Sequence, residues 1–313
     1  MSKKRPIRFI SQLVTAILLS SLIGIYAYAD ETKELVFIFQ KQKDPNQIKV
    51  AAEKVGQYLS KEIGLPVKVQ VPSDYSASVQ ALVSKKADFA YTSSLPFLLA
   101  KRDGGAELLL AEERIDPRGN ARTDYDAVLV VRKDSPLKSV EDLKKNAKEL
   151  SFVFTSPTST SGYVFAYKRL VDEGLLQPKQ EPKSVFKNVS FGGSYTQALE
   201  QVLKGRSDVA AVSYYTIEGP KASKYLPQES LDRLRILTRT PGVPTHLISA
   251  RKGLDKGLKK KVKEALLKLG EENSSLLEDV YGTAKFKEVE EGDHLKGTVD
   301  AVRYIGLPIE DLS

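Results

Sequence analysis

The sequence contains no cysteine. This absence excludes disulfides, thiolate metal sites, a cysteine nucleophile and lipid attachment at a cysteine behind an export signal. Histidine is scarce, with only His246 and His294 in the chain, and the P-loop, G-x-S-x-G and H-E-x-x-H patterns do not occur. We therefore expect neither a metal nor a cofactor, and a serine nucleophile would have few histidines to serve as its general base.

A strong excess of charge is also lacking. The 313 residues have a formal net charge of +8, but residues 1–29 hold four basic residues and no acidic one, which leaves +4 for the rest of the chain. That excess is too small to indicate nucleic acid as a partner.

A long apolar run occurs only near the start. The residues from Phe9 to Ile25 follow a basic segment and end in Ala27-Tyr28-Ala29, the order typical of a secretory signal peptide. An uncleaved membrane anchor is the alternative, because the run is nearly long enough to span a bilayer. Polar residues within the run and the small residues at its end favour cleavage. Without a lipid or membrane helix, the exported protein would be retained by an outer membrane, so we expect a periplasmic location.

Beyond this segment, short β-prone runs alternate with helical patterns. Residues 34–39, 67–71 and 87–91 are predicted strands, and apolar residues recur at helical spacing between them. This alternation predicts an α/β fold with mostly parallel sheets flanked by helices. A unit of helix, basic turn, aspartate, strand and hydroxyl-bearing tip occurs around Asp88 and again around Asp208, which indicates two similar lobes.

Breaks in the pattern place the lobe boundaries. Arg132–Pro136 follows a strong strand, and Thr240–Pro244 interrupts another apolar stretch. We predict a signal peptide over 1–29, a first lobe from 30–130 and 245–313, and a second lobe over 131–244. The helices after Leu254 are expected to pack on the first lobe.

A hydroxyl-rich turn is the main candidate for a site. Ser159, Thr160, Ser161 and Gly162 lie between a predicted strand over 150–154 and a predicted helix. A helix start presents unpaired N–H groups and a positive partial charge, so hydroxyls grouped there can bind an oxyanion. Alternatively, one of these residues only caps the helix. Both interpretations remain open.

Other candidate donors lie at strand ends and helix starts, where open α/β sheets bind ligands. A tyrosine hydroxyl on a rigid apolar ring also suits a closing cleft. Lys41 or Lys43, after the first strand, can point at an anion, although a lysine in a polar loop more often faces solvent. The remaining candidates are Tyr75, Thr92, Ser93, Ser94, Tyr195 and Tyr214.

Three of these features together resemble the phosphate-, phosphite- and phosphonate-binding proteins of bacterial ABC importers. They are the Asp-Tyr-Ser-Ala-Ser element at 74–78, Asp88 before its hydroxyl tip, and the Ser-Thr-Ser-Gly turn at 159–162. The resemblance implies a two-lobed type II periplasmic binding fold with two crossing strands, which closes on its ligand and docks on membrane permease subunits. It also implies that the turn binds phosphorus-bound oxygens and that Tyr75 reaches in from the first lobe. We expect a monomer without enzymatic activity.

The chain departs from this family pattern at three places. Phe97 stands where members often have an aromatic hydroxyl, Tyr195 replaces a frequent histidine, and Tyr214-Tyr215 replace the carboxylate of amino-phosphonate binders. Without that carboxylate a ligand ammonium has no obvious partner, so a small oxyanion such as phosphite, phosphate or a simple alkyl phosphonate is favoured. Two other hypotheses are an accessory that presents an oxyanion to a membrane sensor kinase, and a hydrolase or transferase that uses a serine of the turn.

Overall fold

The computed structural model describes residues 34–116 and 118–307. The signal peptide predicted for 1–29 lies outside the described residues. Across the two described ranges, no helix has both the length and the apolarity needed to cross a bilayer.

Strands and helices alternate along the chain. The strands are β1 (Leu35–Phe39), β2 (Val67–Gln70), β3 (Phe89–Thr92), β4 (Glu107–Ile115), β5 (Ala121–Arg122), β6 (Asp124–Arg132), β7 (Ser151–Phe154), β8 (Asn188–Phe191), β9 (Val209–Ser213), β10 (Leu234–Pro244), β11 (Leu247–Ala250) and β12 (Lys285–Lys287). The helices are α1 (Pro45–Ile63), α2 (Tyr75–Val83), α3 (Ser94–Gly104), α4 (Val140–Asn146), α5 (Ala166–Asp172), α6 (Tyr195–Leu203), α7 (Gln228–Leu231), α8 (Lys256–Glu272), α9 (Ser274–Tyr281) and α10 (Glu291–Ile305). A π-helical turn, Thr160–Phe165, leads into α5.

The strands form two sheets. The first has the order β12-β4-β11-β3-β1-β2, with β5 paired to β4, and the second has the order β10-β6-β9-β7-β8. We call the first sheet with α1–α3, α8 and α9 the first lobe, and the second sheet with α4–α7 the second lobe. The prediction of mostly parallel sheets is wrong: only β1 with β2 and β3, and β7 with β8 and β9, pair in parallel, and the other described pairs are antiparallel. Strands that enter a sheet directly from the other lobe, without a crossover helix, run antiparallel to their neighbours.

The passage between the lobes lies earlier than predicted. β6 pairs with β9 and β10 of the second sheet, so the chain leaves the first sheet between β5 and β6 rather than at residue 131. It returns between β10 and β11. An apolar β-prone run such as β6 indicates a buried strand, but it contains no information about which sheet the strand joins.

The two aspartates of the repeated unit make equivalent hydrogen bonds in the two lobes. The Asp88 carboxylate accepts a hydrogen bond from the Val36 N–H at 2.8 Å, and the Asp208 carboxylate accepts one from the Ser151 N–H at 2.8 Å. Each therefore joins the start of one strand to the start of the neighbouring strand. Asp88 also forms an ion pair with Arg251.

The last helix contacts both lobes. Leu295 of α10 packs in the core beside α2 and α3, whereas Ala301, Val302 and Ile305 belong to the core of the second lobe. This differs from the expectation that all residues after Leu254 pack on the first lobe. In contrast, α8 and α9 do pack on the first sheet, through residues such as Val262.

Candidate anion-binding site

Close backbone packing shapes the hydroxyl turn. The Ser159 hydroxyl accepts a hydrogen bond from the Gly162 N–H at 3.1 Å, so Ser159 caps the π-helical turn. The Thr155 N–H in turn donates to the Gly162 carbonyl at 3.1 Å. A Cβ at residue 162 would overlap the Thr155 side chain, so only glycine fits here. The capping interpretation is thus correct for Ser159, while the hydroxyls of Thr160 and Ser161 remain available for other partners.

Ser161 is the centre of a buried hydroxyl cluster in the second lobe. Its Oγ lies 2.9 Å from the Tyr195 hydroxyl and 2.8 Å from Ser213 Oγ. Tyr195 is the first residue of α6, which Ser194 caps by accepting from the Gln197 N–H at 3.2 Å. The residues at the ends of β7 and β9 and at the start of α6 are therefore brought together, as the strand-end rule predicts.

Thr160 connects this cluster to the first lobe. Its Oγ1 accepts a hydrogen bond from the Leu95 N–H at 2.9 Å and lies 3.3 Å from Ser94 Oγ. Ser94 Oγ is also 2.7 Å from Thr298 Oγ1 of α10. These contacts join the start of α3 to the hydroxyl turn, so the two lobes meet at this point.

The first lobe contributes Gln40 and Tyr75. The Gln40 side-chain oxygen accepts a hydrogen bond from the Ser93 N–H at 2.9 Å, and its Nε2 has no hydrogen-bond partner among the described residues. Tyr75 is fully buried at the start of α2, where Asp74 caps the helix, and its hydroxyl also has no partner. Burial raises the pKa of Tyr75 well above its ordinary value, with Tyr195 adding to the shift and Gln40 opposing it. Tyr75 is therefore a neutral donor beside Gln40 and Tyr195.

Tyr125, the second residue of β6, adjoins the same cluster beside Ser161 and Ser213. Burial raises the pKa of Tyr125 well above its ordinary value, Tyr195 raises it further, and the Ser161 and Ser213 hydroxyls lower it by less. Within the part of the chain that the structure describes, the Tyr125 hydroxyl has no hydrogen-bond partner. Buried polar groups are normally paired, and each one left unpaired costs roughly 1–3 kcal/mol. Unpaired donors beside Ser161 are therefore suited to a ligand rich in acceptor oxygens.

The groups of the cluster are neutral, and the nearby cations have other partners. Arg114 is buried, but its guanidinium lies 2.6 Å from the Glu112 carboxylate, and no described contact joins it to Ser161. Lys43 lies 5.7 Å from the Tyr225 ring centroid, and burial together with Lys224 lowers the pKa of Lys43 to about 8. The described residues contain no metal-binding group of three or more histidines and carboxylates.

The structure does not bring every predicted residue to the cluster. Ser93 contacts Gln40, and Thr92 is buried with its hydroxyl unpartnered and no described contact to Ser161. Tyr214 lines two surface cavities instead. Three residues that we did not predict belong here, namely Gln40, Tyr125 and Ser213. Their positions at strand ends were the available signal, but a single amide or tyrosine at a strand end is also typical of packing.

Comparison with known proteins identifies a family that matches most of the chain. Residues 37–294 match the family described as the periplasmic substrate-binding protein of phosphonate ABC transporters. The chain is 26% identical over 277 residues to the phosphonates-binding periplasmic protein of Escherichia coli K12, an alignment that covers 86% of this chain and 76% of that protein. It is 28% identical over 159 residues to a probable ABC transporter phosphite-binding protein, PhnD1, of Prochlorococcus marinus, which covers 50% of each chain.

The fold is also that of a solved protein with a bound ligand. The structure of PhnD1 from Prochlorococcus marinus in complex with methylphosphonate superposes with a TM-score of 0.75 at 21% identity, covering 88% of this chain and 98% of that one. The two-lobed periplasmic binding fold and the family resemblance inferred from the sequence are thereby confirmed. The chain belongs to the family of periplasmic substrate-binding proteins of phosphonate ABC transporters.

Proposed function

We propose that the protein captures a small phosphorus oxyanion between its two lobes and delivers it to the permease subunits of an ABC importer. One observation carries the proposal: the Ser161–Tyr195–Ser213 cluster of the second lobe faces the unpaired donors Tyr75 and Gln40 of the first. Donors from both lobes around one point favour a ligand that is held only when the lobes close.

The chemistry of these donors favours a compact, fully anionic ligand. Hydroxyls and an amide N–H can pair with each oxygen of a tetrahedral phosphorus group, and hydrogen bonds to a charged group are worth about 1.5–3 kcal/mol. No carboxylate lies among the cluster residues to pair with a ligand ammonium. We therefore propose phosphite, phosphate or a simple alkyl phosphonate rather than an amino-phosphonate. Names of relatives that refer to phosphonates and phosphite point to the same class.

Contacts between the lobes support a closing mechanism. Besides the Thr160–Leu95 bond, the Lys224 ammonium pairs with Asp279 at 2.9 Å across the lobes. Closure excludes water from the hydroxyl cluster and so strengthens its hydrogen bonds. We propose that the protein is exported by a signal peptide over 1–29, is retained in the periplasm and docks as a closed monomer on its permease.

Membership of this family argues against the enzymatic alternative. Its members are the binding components of transporters, so the hydrolase or transferase hypothesis for the serines of the turn is rejected. The sensor-accessory hypothesis uses the same site, but no described residue favours it.

A thermal-shift screen tests the ligand class. The panel contains phosphite, phosphate, methylphosphonate, 2-aminoethylphosphonate, sulfate and acetate. A ligand at a hundred times its dissociation constant adds about 2.7 kcal/mol to the free energy of unfolding. We expect stabilisation by one or more of the first three compounds. Stabilisation by sulfate or acetate alone would overturn the phosphorus assignment, and a clear preference for 2-aminoethylphosphonate would overturn the preference for ligands without an ammonium group.

A further inference from the structure

A surface cavity adjoins the anion site through Tyr215, whose ring packs near those of Tyr125 and Tyr195. Its volume is about 380 Å³, and the residues that line it come from both lobes. They include Arg114, Tyr214, Tyr215, Lys221 and Gly282. The cavity is thus an extension of the space between the lobes rather than a pocket within one of them.

Tyr215 stands between this cavity and the anion site. Its ring centroid lies 5.3 Å from that of Tyr125 and 6.1 Å from that of Tyr195, both of which adjoin Ser161. The same ring lines the cavity, and the Arg114 guanidinium carbon lies 3.7 Å from its centroid. One aromatic ring therefore contributes to the walls of both spaces.

Several contacts hold this ring in place. The Tyr215 hydroxyl donates to the Gln42 side-chain oxygen at 3.2 Å, and Tyr225 packs on the ring with 5.6 Å between centroids. Arg114, on the cavity side, is itself fixed by Glu112 at 2.6 Å and by the Tyr281 carbonyl at 3.0 Å. Tyr215 is only 4% exposed. A ring held by Arg114, by Tyr225 and through its hydroxyl forms a rigid wall that a ligand substituent cannot easily displace.

We propose that Tyr215 determines specificity by limiting the size of the group that the bound phosphorus can carry. This inference rests on the proposed function, because it concerns a substituent on the same oxyanion. With the wall present, the site accepts phosphite, phosphate and methylphosphonate. With the ring removed, the anion site opens into the cavity, and a phosphonate with a longer apolar chain extends into it.

Calorimetric titration with methylphosphonate and n-butylphosphonate tests this wall. Insertion of extra methylenes into a packed site costs enough to weaken wild-type binding of n-butylphosphonate by about 100-fold relative to methylphosphonate. For Tyr215→Ala we expect this ratio of dissociation constants to fall at least about tenfold. The ratio of dissociation constants is independent of any general weakening of lobe closure, because both ligands are bound through the same oxyanion.

Two control variants isolate the ring from its hydroxyl and from general loss of packing. Tyr215→Phe keeps the ring and loses only the bond to Gln42, so it should keep the wild-type ratio. Phe186→Ala removes a buried aromatic side chain of the second lobe that packs on Phe152, away from Tyr215, and it should also keep the ratio.

Each outcome has a defined meaning. The inference is overturned if the wild-type protein binds both phosphonates equally, or if Tyr215→Ala binds methylphosphonate but retains the wild-type ratio. If Tyr215→Ala does not fold, Tyr215→Leu replaces it under the same criterion. If the folded Tyr215→Ala and Tyr215→Leu variants both fail to bind methylphosphonate, Tyr215 is part of the site that binds the oxyanion itself. This result would also overturn the inference. Failure of the wild-type protein to bind phosphite, phosphate or methylphosphonate would instead refute the proposed function.

Discussion

Thr160 of the hydroxyl turn accepts a hydrogen bond from the backbone N–H of Leu95 across the two lobes, with 2.9 Å between the donor and acceptor atoms. Thr160 is fully buried, and the next residue, Ser161, is the centre of the hydroxyl cluster. The turn that we propose as the anion grip is therefore also a point at which the lobes are joined. This dual position links ligand binding to closure.

Replacement of Thr160 by valine should weaken ligand binding by about tenfold. Valine has nearly the same shape but no acceptor, so the Leu95 N–H is left unpaired in the closed form at a cost of roughly 1–3 kcal/mol. Thr160→Ser keeps the hydroxyl and should bind almost as well as the wild-type protein. Calorimetric titration with the best ligand measures both, and equal affinities for the valine and serine variants would contradict the role of this bond.

Loss of the Ser161 hydroxyl should reduce the affinity for the anionic ligand. A hydrogen bond to a charged ligand is worth about 1.5–3 kcal/mol, so Ser161→Ala should raise the dissociation constant by about 10–150-fold. Ser249→Ala is the matched control, because Ser249 is equally buried but lies in β11 of the first lobe, with its Oγ 3.5 Å from the Ala90 carbonyl. The control should bind normally. A comparable loss in both variants would indicate damage to the fold rather than to the site.

Substitution of Gly162 by alanine should distort the turn itself. The new Cβ would overlap the Thr155 side chain, and overpacking of this kind costs roughly 1–3 kcal/mol of unfolding free energy. We expect a lower denaturation midpoint and weakened binding together. Gly257→Ala, near the exposed start of α8, would meet only the Asp255 carboxylate, at 3.1 Å, and serves as the control. A Gly162→Ala protein as stable as wild type would contradict the close approach described here.

Part of this site could be predicted from the sequence. Ser159–Ser161 follow a buried strand and precede a helical pattern, and the ends of parallel strands meet at one edge of a sheet. The repeated aspartates Asp88 and Asp208 likewise indicated two similar lobes, and their identical bonds to strand starts explain why both are present. Local patterns were informative wherever the function of a residue depends on its own turn or strand end.

Long-range pairing could not be predicted in the same way. The apolar run of β6 is equally suited to either sheet, so the passage between lobes was misplaced. The break expected at Thr240–Pro244 is instead the end of β10, an edge strand that tolerates Pro241 and a bulge at Gly242. Gln40 and Tyr125 were missed because their importance comes from unpaired donors that lie beside Tyr75 and Ser161, respectively, which is a property of the assembled lobes.

The two histidines should make stability depend on pH below about 6.5. Burial lowers the pKa of His246, although the Glu112 carboxylate opposes the shift, and burial also lowers the pKa of His294. The unfolded chain therefore binds more protons than the folded protein below pH 6.5, so the free energy of unfolding falls on acidification. Each histidine contributes at most about 1.4 kcal/mol per pH unit. At still lower pH, carboxylates with lowered pKa, such as Glu112, add to the loss.

Urea denaturation from about pH 5 to 7.5 measures this dependence. His246→Asn places an amide nitrogen near the position of Nδ1, which lies 3.2 Å from Glu112, and the variant should show a shallower slope than the wild-type protein. His294→Gln is the matched variant for the second histidine, whose Nε2 lies 3.2 Å from the Thr245 carbonyl. Wild-type slopes in both variants would show that the histidines are not responsible.

The most direct test of the central claim is a crystal structure of the protein with methylphosphonate. We expect the phosphorus-bound oxygens to lie within hydrogen-bonding distance of Ser161 Oγ and of the Tyr75 and Tyr125 hydroxyls, with Thr160 still bonded to Leu95. A phosphonate bound at a site remote from Ser161, or contacted by one lobe alone in a closed protein, would contradict the account.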